Sequence, residues 1–224
     1  MAQDSTISSL EIPVKVDIPQ RLWNDLQLLI EYGLASDEEA GGLLIIAQHG
    51  NLGVVAEQLG KDREIVLEPN EDLHKGEKYV GTVHVHPVTN QGSTGDFDGY
   101  LKDHNEKVML VMGADKSINV YIKTDLTMMN STEESIIKNN FEQEDLKNVA
   151  ESFGILFYRA ESEDATVLTL LNEKLDDQAI EPLDDAWPIE HLIDALGIKG
   201  LDELPQGWQT KKYPKKSGLK VEDE

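Results

Sequence analysis

A change of hydrophobic period near the start of the chain restricts what it can fold into more than any other feature. Leu10, Ile12, Val14, Val16 and Ile18 recur at every second residue, the period of a half-buried strand. Beyond Pro19, Leu22, Leu26, Leu29 and Ile30 recur at helical spacing. Pro13 suits an edge strand, Pro19 suits a first helical position, and Gly33 offers a stop. A strand passing directly into an amphipathic helix needs a sheet for that helix to cover, so the order points to mixed α and β structure.

The rest of the chain extends this alternation. Gly41 to Ala47 is an apolar run, and His49-Gly50-Asn51 reads as a hairpin turn into a strand containing Val54 and Val55. An acidic, lysine-dotted loop over residues 60 to 78 precedes an apolar strand from Tyr79 to Val85. Phe97, Tyr100, Leu101 and His104 suggest a short helix, followed by strands at Val108 to Met112 and Ile118 to Ile122. Ser131 and Glu134 form a capping box for a helix through Ile137, Phe141, Leu146, Val149, Ala150 and Phe153, which Gly154 can close. Ile155 to Tyr158 and Val167 to Leu171 read as the final strands. The expectation is an α/β fold of the mixed α+β kind, a central mixed β-sheet flanked by helices, over residues 8 to 172. Residues 173 to 224 read as an acidic, Pro-interrupted C-terminal extension, partly disordered, with a helical pattern at Ile189 to Leu196 and a lysine-dotted end.

Charge and composition exclude several functions. Against 43 Asp and Glu there are 20 Lys and Arg, a formal net charge of −23. Such a surface repels nucleic acid and anionic membranes, which are recognised through clustered positive charge. No cysteine is present, which removes disulfides, thiolate catalysis and Cys-based zinc sites and leaves His, Asp and Glu as metal ligands. The first residues carry no basic segment followed by an apolar stretch, and no apolar run approaches the ~18 residues of a membrane span, so a cytoplasmic location is expected.

The chemistry concentrates in Gly81-Thr82-Val83-His84-Val85-His86-Pro87. Residues two apart on a strand point to the same face, so His84 and His86 present two imidazoles side by side. With Asp96 folded back from the start of the following helix, they would form a His₂Asp set with a fourth position open to water, the arrangement of a hydrolytic zinc site. His49, His74, His104 and His191 lack such paired spacing and read as turn or surface residues, with His104 near enough in sequence to approach the site from the helix. Trp187 and Trp208 read as anchors of the extension.

Three segments together resemble the JAMM/MPN (JAB-type) zinc metalloprotease family, in its prokaryotic-like, deubiquitinase-type form. Glu39-Ala40-Gly41-Gly42-Leu43-Leu44 is similar to the family's E-x-x-G-L-L, Gly81 to Pro87 to G-x-x-H-x-H-P, and Ser93-Thr94-Gly95-Asp96 to Ser-x-x-Asp. The resemblance implies a JAMM/MPN fold of cytidine-deaminase-like topology, with zinc held by His84, His86 and Asp96. It also implies Glu39 as general base and acid and Ser93 as oxyanion donor. The implied reaction is cleavage of a peptide or isopeptide bond, removing ubiquitin or a ubiquitin-like modifier by metal-activated water. Val85 stands where the family usually has a small polar residue, and the loop before Ser93 is one residue short. Thr94 and Asp98 are therefore the alternative oxyanion donor and ligand. Asp96 is preferred because it keeps Ser-x-x-Asp, whereas Asp98 on a helix projects about 200° away. A catalytically silent MPN scaffold and a zinc hydrolase of another small amide or peptide are the competing expectations.

Overall fold

The computed structural model describes residues 11–36, 38–59, 73–87, 94–130, 146–160, 166–175 and 178–202. The main sheet is built from β1 (Glu11–Asp17), β2 (Ala40–Ile46), β3 (Leu52–Leu59), β4 (Lys78–His86), β5 (Val108–Gly113), β6 (Ile118–Lys123), β7 (Ile155–Ala160), β8 (Val167–Leu170) and β11 (Glu181–Pro188). Its order is β11-β1-β8-β7-β6-β5-β4-β2-β3. The β1/β11 and β4/β5 pairs are parallel and the others antiparallel. The short strands β9 (Lys174–Leu175) and β10 (Gln178–Ala179) pair separately. Five helices are described: α1 (Gln20–Ser36), α2 (Thr94–Lys102), α3 (Asp125–Asn130), α4 (Leu146–Ser152) and α5 (Ile189–Ala195). The architecture is the expected mixed α/β sheet flanked by helices. None of the described helices is long and apolar enough to cross a membrane.

Each face of the sheet carries its own apolar core. Leu22, Leu26, Leu29 and Ile30 of α1 and Ile189, Leu192 and Ile193 of α5 pack with Val80, Val83, Val85, Leu110 and Val120 on one face. On the other, Phe97, Tyr100 and Leu101 of α2 and Leu146 and Ala150 of α4 pack with Met109, Val111, Tyr121 and Phe157. Helix α1 runs through Gly33, expected as its stop, to Ser36, whose hydroxyl donates to the Tyr32 and Gly33 carbonyls. Gly33 instead serves a close approach: a Cβ there would lie 3.2 Å from Glu38 O, 3.4 Å from Ala40 Cβ and 3.5 Å from Val85 Cγ1. The missing methyl lets the helix end lie on the back of the strand that carries the histidines.

Strand β4 shows why the glycine of Gly-x-x-His-x-His is needed. A Cβ on Gly81 would fall 1.7 Å from the Val108 carbonyl oxygen of β5, a distance that neither backbone can tolerate. The register of β4 with β2 shifts between Leu44, opposite Gly81, and Ile45, opposite Tyr79. That irregularity places Val80 on the same face as Val83 and Val85, which strict alternation would forbid. Thr82, His84 and His86 are thereby committed to the opposite face, beneath α2.

Two sequence expectations need correction. Strand β1 is not an edge strand, since β11 flanks it on one side and β8 on the other. Pro13 is accommodated because β8 pairs only with Lys15, Val16 and Asp17, and the register with β11 shifts between Pro13 and Lys15. Among the described strands, the edge on this side is β11 and the opposite one is β3, and Pro182 and Pro188 of β11 sit at no cost to an outer ladder. Nor is the extension beyond residue 172 an appendage over its described part. Glu181–Pro188 completes the main sheet, α5 packs onto its core, and Leu201 exchanges backbone hydrogen bonds with Tyr79. Its acids and prolines masked a strand that parallel pairing to β1 stabilises. The capping box at Ser131 and Glu134, Trp208 and the terminal lysines lie outside the described residues.

Candidate metal centre

Three side chains from two elements meet at the end of β4. His84 and His86 are buried, at 5% and 4% exposure, with ring centroids 4.9 Å apart. Asp96, in the first turn of α2, turns its carboxylate onto both rings: Oδ2 lies 3.5 Å from His84 Nε2 and 3.3 Å from His86 Nε2. Each residue offers a ligand atom within 4.8 Å of the other two. Among the described side chains, the carboxylate that reaches both imidazoles is that of Asp96; Asp98, the alternative ligand, belongs to the same helix.

The donor set fits a metal ion by a test independent of motif. Both Nε2 atoms are buried and face the Asp96 carboxylate without a well-aligned hydrogen bond to it or to any other described group. Buried nitrogens without such a bond are costly unless something else uses their lone pairs. Tetrahedral zinc with bonds of about 2.0–2.1 Å requires ligand atoms about 3.3–3.4 Å apart, and the two imidazole-to-carboxylate spacings match that edge. Nitrogen and carboxylate oxygen are both zinc ligands, and three protein ligands leave a tetrahedral ion one position for water or substrate.

The electrostatics agree. Burial alone would push the His84 pKa down. The hydrogen-bonding and charge of Asp96, with the more distant charges of Glu39 and Glu106, outweigh it, so the net shift is upward. A site that favours a proton on His84 also favours a cation there, so proton and metal compete for the same nitrogen.

Glu39 directly precedes Ala40, which pairs with Val85 between the two histidines, and its negative charge is felt at His84. It is half-buried at the same end of β4. Ser93 lies outside the described residues. Thr94 opens α2, and its side chain, like that of Asp98, is outside the described set. His104 does not approach the centre: it sits exposed in the turn after α2. His49 and His74 are exposed in turns or loops, and His191 stacks on Trp187 at 4.5 Å, consistent with the surface and anchoring roles expected of them.

A second buried polar cluster on this face escaped the sequence reading. Thr82 Oγ1 donates to Glu106, and Lys123 Nζ donates to the carbonyls of Tyr100 and Asp103, the latter at 2.7 Å. Burial pushes Glu106 up to about 7, opposed by the Thr82 hydroxyl and the charge of Lys123. Burial likewise pushes Lys123 down to about 8, opposed by Glu106 and Asp103. The only signal in the sequence was a lysine closing the apolar strand INVYIK, and charged residues at strand ends are ordinarily exposed.

Comparison of the chain with protein-family models and with curated proteins finds no match.

Proposed function

We propose that this chain is a zinc-dependent hydrolase of JAMM type that cleaves a peptide or isopeptide bond. The observation that carries this reading is the convergence of two buried imidazole nitrogens on one Asp96 oxygen, with Glu39 entering beside them. His84, His86 and Asp96 would hold the ion. Bound zinc supplies a Lewis acid that polarises the scissile carbonyl and acidifies water.

The chain's own residues supply the rest. Glu39 is the proton carrier, taking a proton from the attacking water and returning it to the leaving amine. Its position at the start of β2, one residue from the pairing partner of Val85, puts it on rigid scaffold rather than on a loop. Ser93 is proposed to donate to the developing oxyanion, a role worth about 3 kcal/mol where such a donor is well aimed. The substrate class proposed is a protein or peptide conjugate of ubiquitin or a ubiquitin-like modifier. A net charge of −23 favours encounter with basic substrates.

Metal analysis combined with cleavage of ubiquitin-like fusions tests this reading. One equivalent of zinc and release of the modifier are expected. His86→Ala should lose the metal, whereas Glu39→Gln should keep it and lose turnover. A folded, zinc-exposed sample that takes up no metal would overturn the proposal, and zinc uptake without cleavage of any peptide or isopeptide conjugate would restrict the site to binding.

A further inference from the structure

We infer that Lys123 is a positioning residue for the metal centre, acting through α2 to fix where the Asp96 carboxylate stands. The inference rests on the metal reading above and extends it to a residue that touches none of the three ligands.

Helix α2 is held differently at its two ends. Its first turn carries Asp96, and its last residues present carbonyls to which no further helical N–H donates. Lys123, 2% exposed at the end of β6, donates its ammonium to Tyr100 O and Asp103 O, so one buried cation caps the C-terminal end. The same ammonium lies 4.2 Å from the centroid of the Tyr100 ring. The Tyr100 hydroxyl continues into the sheet, donating to Lys107 O at 2.9 Å and Tyr121 O at 3.1 Å. Backbone bonds from Lys123 N to Lys107 O and from Lys107 N to Val80 O tie this anchor to β4, the strand that bears the histidines. Thr82 of β4 donates to Glu106, whose charge acts on Lys123 in turn.

Helix α2 is therefore fastened to the sheet at one end and presents a ligand at the other. Seven residues separate Asp96 from Asp103, about 10 Å of helix, so a tilt of about 5° about the anchor displaces Asp96 by roughly 1 Å. A shift of that size is a large fraction of a metal–ligand bond. Phe97, edge-on to Tyr121 at 4.9 Å between centroids, resists lateral slip but forms no directional bond. The polar anchor supplies direction where apolar packing does not.

The test uses the full-length chain with cobalt(II) as the spectroscopic probe and zinc in competition. Lys123→Met should bind one equivalent of cobalt 10- to 100-fold more weakly than the parent, the range typical of residues supporting metal ligands, and shift its visible absorption bands. Lys123→Arg should restore most of both. Tyr100→Phe, which keeps the ring and removes one anchor, should show a smaller change in the same sense and provides the readout if Lys123→Met does not fold. Folded variants with unchanged cobalt affinity and spectrum but a lower Tm would overturn this inference alone, leaving Lys123 a purely structural residue. A parent chain that takes up no cobalt would overturn it together with the metal reading.

Discussion

Two buried polar clusters lie under α2 on the same face of the sheet, and they differ in how their atoms are used. Around Lys123 the protein provides its own partners: two carbonyls accept from the ammonium, and Thr82 donates to Glu106. At the end of β4, His84 and His86 turn both Nε2 atoms toward one shared carboxylate oxygen, with no well-aligned hydrogen bond between them. Carbonyls and a hydroxyl gathered around an ammonium and a carboxyl maintain the fold, while two imidazole nitrogens and a carboxylate oxygen gathered within 4.8 Å of one another form a ready ligand set for a cation. The contrast separates scaffold from site without reference to any motif.

Perturbing the two clusters should have opposite signatures. The largest effect expected is on turnover: Glu39→Gln should lower kcat by about 10²–10⁴-fold, the usual contribution of a positioned general base, with little change in zinc content or Tm. Activity that survives this change would remove Glu39 from the chemistry. Next, Lys123→Met should lower stability by about 3 kcal/mol, because Glu106 loses its neighbouring cation and two carbonyls lose a donor. Asp96→Asn, by contrast, should leave the chemical-denaturation midpoint of the metal-free chain nearly unchanged. Equal losses in those two variants would erase the distinction between the clusters. Gly81→Ala affects both together, since the added methyl meets the Val108 carbonyl of β5, and a loss of about 1–3 kcal/mol is expected from the forced backbone shift.

The sequence made the site more legible than the architecture around it. Period two placed His84 and His86 on one face, and a helix start placed Asp96 within reach, because both relations are local. The hairpin at Gly50, with φ of +80°, was equally readable from His49-Gly50-Asn51. What escaped was non-local. Pro13 does not mark an edge because the strand outside β1, β11, comes from more than 160 residues later in the chain and pairs parallel to it. Glu181–Pro188 looked unstructured because its acids and prolines have poor strand propensity, and tertiary pairing overrides that preference. Lys123 and Glu106 carry no local signal, because nothing in their sequence neighbours announces a helix end arriving above them.

The smallest effect expected is a pH dependence. Burial raises the folded-state pKa of Glu106 from its ordinary 4.5 to about 7, so between those values the folded chain holds a proton that the unfolded chain has released. The stability this contributes is present below pH ~4.5 and declines as pH rises toward ~7. Glu106→Gln should flatten that slope in urea titrations of the metal-free protein; an unchanged slope would show that Glu106 is not its source.

The central claim is that His84, His86 and Asp96 form one metal centre. A calorimetric zinc titration of the metal-free full-length chain, run in two buffers of different ionisation enthalpy, tests it most directly. One equivalent should bind, with proton release reported by the buffer dependence, and both signals should disappear in His86→Ala. Binding that persists unchanged in His86→Ala, or no binding by the folded parent, would contradict the account.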